Sequence, residues 1–173
     1  MSKQKEHPYV ELARATIREY TLTGRHKGGP ESRSSIFNQQ AGVFVSIKKG
    51  GKLRGCIGTI RPTRENLAAE ISHNAISAAS QDPRFEPIEL DELPELEISV
   101  DVLGPAEVIQ GSEELDPLKY GVIVEKGAQR GLLLPNLEGI DTAEKQVAIA
   151  REKAGIFPGE EVKLYRFQVD RFK

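Results

Sequence analysis

The sequence predicts an α+β fold: a largely antiparallel sheet built from two related hairpin-helix-strand halves, plus an N-terminal helix. Three observations carry this expectation. Paired β-rich runs around tight turns occur twice, in Gly42–Ile60 (GVFVSIKKGGKLRGCIGTI) and Tyr120–Pro135 (YGVIVEKGAQRGLLLP). Each is followed by a helical stretch and then a strand, with the second set roughly 80 residues after the first. Residues repeat as well: Gly42-Val43-Phe44-Val45 aligns with Gly121-Val122-Ile123-Val124. Arg54-Gly55 aligns with Arg130-Gly131 once the first turn is allowed three more residues. A three-stranded half buries only one face, so the two halves are expected to pack together, and hairpins make the pairing antiparallel.

The N-terminal helix is placed at Tyr9 to Thr21, where Tyr9, Leu12, Ala13, Thr16, Ile17 and Tyr20 recur at three- and four-residue steps, with Pro8 suited to the first turn. Gly24–Gln40 is rich in glycine, serine and basic residues and reads as a polar surface loop anchored by Ile36 and Phe37. After the first hairpin, Leu67, Ile71, Ala75 and Ala78 mark a helix from about Arg64 to Ser80, which stops at Asp82-Pro83. Leu96, Ile98, Val100 and Val102 then share one face of a strand running to Leu103. The second helix-and-strand set is placed at Asp141–Ala154, with Asp141 and Glu144 at capping-box spacing and Gly155 as the stop, and at Val162–Val169.

A length of 173 residues suits one domain, divided into an N-terminal helix and loop (1–41), a first half (42–103), an acidic link (104–119) and a second half (120–173). No apolar run approaches the roughly 20 residues of a membrane span, and the start MSKQKEHP lacks a signal-peptide apolar stretch, so a cytoplasmic location is expected. A single cysteine and three scattered histidines give neither a disulfide nor a zinc spacing, and no cofactor or metal is expected. The formal charge of −2 conceals a segregation. Gly24 to Arg64 holds nine cations against one acid, whereas Phe85 to Leu118 holds eleven acids and no Lys or Arg.

The repeat separates scaffold from novelty. Arg-Gly stands in both hairpins, which favours a structural role, but Cys56-Ile57-Gly58-Thr59 replaces Leu132-Leu133-Leu134-Pro135. Glycine permits close approach of a ligand or another backbone, so the candidate site centres here. Alternation puts Arg54, Cys56 and Gly58 on one face. A guanidinium beside a thiol favours thiolate, making Cys56 a candidate nucleophile, yet free cysteine is more often a small buried hydrophobe. His7 and His26 are expected to be solvated, and His73 falls well off the helix's apolar stripe, so no histidine is placed to act as its base. Asn74 falls within that stripe, where its amide must find partners, most simply by tying the helix to the hairpin. In Asp82-Pro83-Arg84-Phe85, Asp82 suits a turn, and Arg84 could join Arg54 as a clamp for carboxylate or phosphate. Nucleotide-loop motifs are absent, and nucleic-acid binding is disfavoured by thin aromatic interleaving in the basic segment.

The LRGCIG core together with DPRF, and the segments AISAASQDPRFEPI, ELEISVDVLGP, GVIVEKGAQRGLLLP and REKAGI, resemble the AMMECR-type domain of the AMME chromosomal region protein family. Its bacterial and archaeal members are called AmmeMemoRadiSam system protein A. The resemblance covers about Gly42 to Phe172. It implies a compact α+β fold of two related halves, an association with Memo-like and radical-SAM proteins, and a site at Arg54, Gly55, Cys56, Gly58, Asp82, Arg84 and Lys153. It implies no established reaction. The leading expectation is an accessory component with an anion-binding cleft beside Arg54–Cys56. An enzyme using Cys56 for group transfer or hydrolysis, or a protein-interaction domain contacting partners through its acidic segment, stand as alternatives.

Overall fold

A computed structural model describes residues 5–26 and 34–173. The part of the Gly24–Gln40 loop at 27–33 lies outside the described residues. The chain divides into two compact units, Met1–Val102 with Asp170–Lys173, and Leu103–Val169.

In the first unit, α1 (Pro8–Thr23) is capped by His7, whose ring accepts from the Tyr9 N–H. His7 also stacks on Phe172, so it is a structural residue and not the solvated one expected. Strands β1 (Val43–Lys49) and β2 (Lys52–Gly58) form the first hairpin, turned by Gly50 and Gly51, both at positive φ. Helix α2 (Leu67–Ser80) starts at the first residue of its apolar stripe, three residues after the expected boundary at Arg64. The reason is Glu70: its buried carboxylate accepts from the Thr63 and Arg64 N–H groups, which wraps the preceding segment as a loop, while Asn66 caps Ala69. Strand β3 (Leu96–Leu103) occupies the expected residues.

The sheet order is β2-β1-β3-β8, where β8 is the C-terminal strand Val169–Phe172. Val43, Val45 and Ile47 of β1 and Ile98 and Val100 of β3 pack with Leu67, Ile71 and Ala75 of α2 and Val10, Ala13 and Ile17 of α1 in one core. Gly55 faces this core, where a Cβ would collide with the Ala78 carbonyl of α2, so only glycine lets helix and strand come this close.

The second unit begins with the short β4 (Glu107–Ile109), which sequence patterning missed within the acidic link. It continues with the hairpin β5 (Gly121–Lys126) and β6 (Gln129–Leu133), helix α3 (Ala143–Ala154) and β7 (Lys163–Phe167). The order is β4-β7-β5-β6, and Val122, Val124, Leu133, Ala150 and Ile156 form its core. Thr142, not Asp141, caps α3 by accepting from the Lys145 N–H, and Gly155 ends the helix in the left-handed region as expected. Gly131 lies under the Ala150 carbonyl as Gly55 lies under Ala78.

The fold is thus α+β with an N-terminal helix, and its antiparallel pairing is distributed over two four-stranded sheets where the sequence suggested one. The fourth strand of each sheet comes from the segment after the third strand of the other: β4 follows β3 but pairs with β7, and β8 follows β7 but joins β3.

Candidate functional site

All but one of the expected site residues belong to the first unit. The face of its sheet turned away from the helices is polar. Cys56 is registered against Ser46, which is registered against Ser99; in the next row stand Gly58, Phe44 and Asp101. Gly58 is glycine because the Phe44 ring lies where its side chain would be. Cys56 is half-buried, with its Sγ 3.2 Å from the Ser46 Oγ. Burial pushes the thiol above its ordinary pKa, and the Ser46 contact and the Arg84 charge only partly offset this.

β2 is an edge strand, and the Asp82–Arg84 turn covers that edge at Cys56. The Cys56 N–H donates to Asp82 Oδ2 at 3.0 Å, and its carbonyl accepts from Arg84 Nη2 at 3.3 Å. A carboxylate and a guanidinium here stand in for the backbone of a neighbouring strand. The Asp82 side chain is 2% exposed and takes Arg84 Nε at 3.0 Å and Nη2 at 2.8 Å. These bonds hold its carboxyl far below the usual range and raise the pKa of Arg84. Half of the Arg84 side chain is exposed, and no described residue accepts from its Nη1.

A matching pair stands on β3 and β8. Arg171 donates through Nε and Nη2 to Asp101 at 2.8 and 2.9 Å, and the Asp101 side chain is buried. Asp101 raises the pKa of Arg171 chiefly through this bond, and Arg171 lies within electrostatic reach of Cys56. Its Nη1 also has no acceptor among the described residues. Two guanidiniums, each fixed by a buried aspartate through one edge, therefore lie within electrostatic reach of Cys56.

Arg54 is arranged differently. Its Nε and Nη2 donate to Glu92 at 3.0 and 2.9 Å, and Nη1 and Nη2 donate to the Glu86 and Pro87 carbonyls at 2.8 and 3.3 Å. Every nitrogen is engaged and four of the five N–H donors are used, so Arg54 ties β2 to the 86–92 segment and, unlike Arg84, keeps no whole nitrogen for an anion. Arg54 first, then the Glu89 N–H and Lys49, bring Glu92 down to about 2. Arg130, its counterpart in the second hairpin, is likewise paired, with Glu125. Asn74 is buried and donates to the Val43 carbonyl at 2.9 Å and Thr59 Oγ1 at 3.1 Å, the helix-to-hairpin tie that its position suggested. Lys153, in the second unit, donates from Nζ to the Leu132 carbonyl of β6 at 3.0 Å. His73 is exposed and contacts Arg64; His26 is half-buried against Glu19 and not solvated as expected.

Ser46, Ser99, Asp101 and Arg171 escaped sequence reasoning. The available signal was an acid, Asp101, set between two valines in the strand LEISVDVL, at a position that alternation turns away from the core.

The chain matches the AMMECR1 family over residues 10–172. This chain belongs to the AMMECR1 family. It is 52% identical over 171 residues to a Thermotoga maritima protein, covering 97% of this chain and 98% of that one. It is 49% identical to Protein CA_C1420 of Clostridium acetobutylicum over 173 residues, and there it spans only 37% of the longer protein. The solved structure of uncharacterised protein PH0010 from Pyrococcus horikoshii superimposes with a TM-score of 0.87 at 35% identity, covering 94% of this chain and 88% of that one. The AMMECR1 fold described above is therefore shared with that archaeal protein. Among the described residues, no helix is long and apolar enough to cross a membrane.

Proposed function

We propose that this AMMECR1-family protein is a non-catalytic accessory component that binds a ligand through an anionic group. The group is held by the Nη1 edges of Arg84 and Arg171 over the Cys56–Ser46 pair. The observation that carries the reading is the paired Asp–Arg arrangement: buried Asp82 and Asp101 fix each guanidinium through Nε and Nη2, so the remaining edge is preorganised. Arg84 keeps the role expected of it, and Arg171 takes the second place instead of Arg54. Gly55, Gly58 and Asn74 hold β2 and Phe44 in position. Lys153 caps the edge of β6 as Arg84 caps that of β2, which makes it a scaffold residue in this reading. The family resemblance supports a cytoplasmic setting beside Memo-like and radical-SAM proteins, with this chain supplying binding and those proteins the chemistry.

Against the alternative of covalent catalysis, the thiol pKa is raised by burial, and the only polar side-chain group bonded to Sγ among the described residues is a serine hydroxyl. The test is a thermal-shift screen of carboxylates, sugar phosphates and nucleotides, followed by titration of each hit against Arg84→Gln. Loss of one charged hydrogen-bond donor predicts about 10-fold or more weaker binding. Wild-type affinity in Arg84→Gln and in Arg171→Lys would refute the site. A mass adduct from a metabolite, lost in Cys56→Ser, would establish the covalent reading instead.

A further inference from the structure

The second unit carries a surface that owes nothing to the Cys56 site. Beside α3 lies a groove of about 730 Å³, lined by Val147, Ala148, Arg151, Gly155, Ile156 and Phe157 among others. Phe157 stands at its rim with 74% of its surface exposed. An exposed aromatic ring is ordinarily a mobile one, but the turn carrying it is braced on all sides. The Phe157 N–H donates to Glu160 Oε2 at 2.9 Å, and Arg151 Nη1 donates to the carbonyls of Phe157 and Glu160 at 3.2 and 3.0 Å. Lys126 holds the other oxygen of Glu160 at 2.5 Å. Buried Ile156 anchors the turn from below, its N–H donating to the Arg151 carbonyl at 2.9 Å. A large apolar side chain carried on a fixed backbone loses less entropy when it is covered than one on a mobile loop, which suits an interface anchor.

Charge decides what would cover it. Of the cations of this neighbourhood, Lys126 pairs with Glu160, while Arg151 donates through Nη1 to the carbonyls of the turn and keeps its charge in the groove lining. The rim carboxylates Glu144 and Glu152, on α3 and exposed, receive a hydrogen bond from no described residue, and Glu113 beside the lining Ser112 is likewise uncommitted. The groove is thus apolar at its floor, and at its edge the carboxylates of Glu144, Glu152 and Glu113 outnumber the lining Arg151. We propose that this face docks a basic amphipathic segment of a protein partner, an aliphatic or aromatic side chain filling the α3 groove against Phe157 and flanking Lys or Arg side chains meeting Glu144 and Glu152. A small apolar molecule would use the concavity but leave the projecting ring and the charged rim unused.

The test uses fluorescein-labelled peptides of about 18 residues with helical amphipathic spacing, one built from Leu and Lys and one from Leu and Glu, titrated with the full chain by anisotropy. The Leu/Lys peptide should bind at least about 10-fold more tightly than the Leu/Glu peptide, with affinity falling as salt is raised. Phe157→Ala should weaken it about 10-fold or more, Phe157→Leu less so, and Glu144→Gln with Glu152→Gln should flatten the salt dependence. Phe157 is exposed, so circular dichroism and Tm should be unchanged in its variants, separating lost docking from lost folding. Equal binding of the Leu/Lys peptide to all variants, or equal affinity for the two peptides, would overturn the proposal. So would sedimentation showing a dimer of this chain that Phe157→Ala dissociates, which would assign the face to self-association.

Discussion

Replacing Arg54 by alanine should damage the fold and leave the anion site's own donors in place. The side chains of Arg54 and Glu92 are only 18% and 14% exposed and meet through two parallel N–H···O bonds, while two further donors satisfy backbone carbonyls of the 86–92 segment. Removing one partner of a fully buried pair costs about 3–5 kcal/mol; the residual solvent contact here brings the expectation to about 2–3 kcal/mol. For a chain of this size that is a fall in Tm of about 5–10 °C. Urea denaturation of wild type, Arg54→Ala, Glu92→Ala and the double variant gives the pair's coupling directly, expected at about 1–3 kcal/mol. The pH dependence has a definite sign. Glu92 is held at about 2 in the folded protein, below its ordinary value, so its contribution is complete above about pH 5 and is lost as pH falls toward 2. Arg54→Ala should lack that part of the acid slope. An unchanged Tm, or additive single variants with no coupling, would show that Arg54 is free for a ligand and would refute its assignment to the scaffold.

Two further outcomes follow from the same geometry. Gly55→Ala drives a methyl group into the Ala78 carbonyl, a backbone atom that moves only with α2, and should cost about 1–3 kcal/mol in urea denaturation; wild-type stability would contradict the close packing of helix on hairpin. Iodoacetamide at pH 7.5 should label Cys56 more slowly in the folded protein than in urea, because burial raises its pKa and limits access; labelling faster than the unfolded control would point to an activated thiolate.

The sequence made the scaffold legible where one periodicity governs one element. Val43, Val45 and Ile47, and Leu96, Ile98 and Val100, stand at every second residue, and α1 and α2 show their apolar stripes, so these lie close to where spacing puts them. Boundaries failed where a side chain outside the pattern controls them, as with Glu70 delaying α2 and Thr142 capping α3. The partition into two sheets was hidden because hairpin spacing fixes local pairing and says nothing about where β4 and β8 go. At the site, Cys56 and Gly58 were visible as the glycine-flanked thiol that sets the first hairpin apart from the second, and Asp82 and Arg84 as the turn after α2. The sequence could not rank Arg54 against Arg171. Both are arginines near apolar residues, and only the register that brings Asp101 to Arg171, and the 86–92 segment that consumes Arg54, tells the free guanidinium edge from the spent one.

The most direct measurement is the arginine side-chain ¹H–¹⁵N spectrum of the labelled protein during titration with inorganic phosphate and with benzoate, read against Arg54→Lys, Arg84→Lys and Arg171→Lys for assignment. The account predicts that the Arg84 and Arg171 resonances shift together along one saturable curve with at least one of the two anions, while that of Arg54 stays fixed. Saturable movement of Arg54, or no movement of Arg84 and Arg171 with either anion, would contradict it.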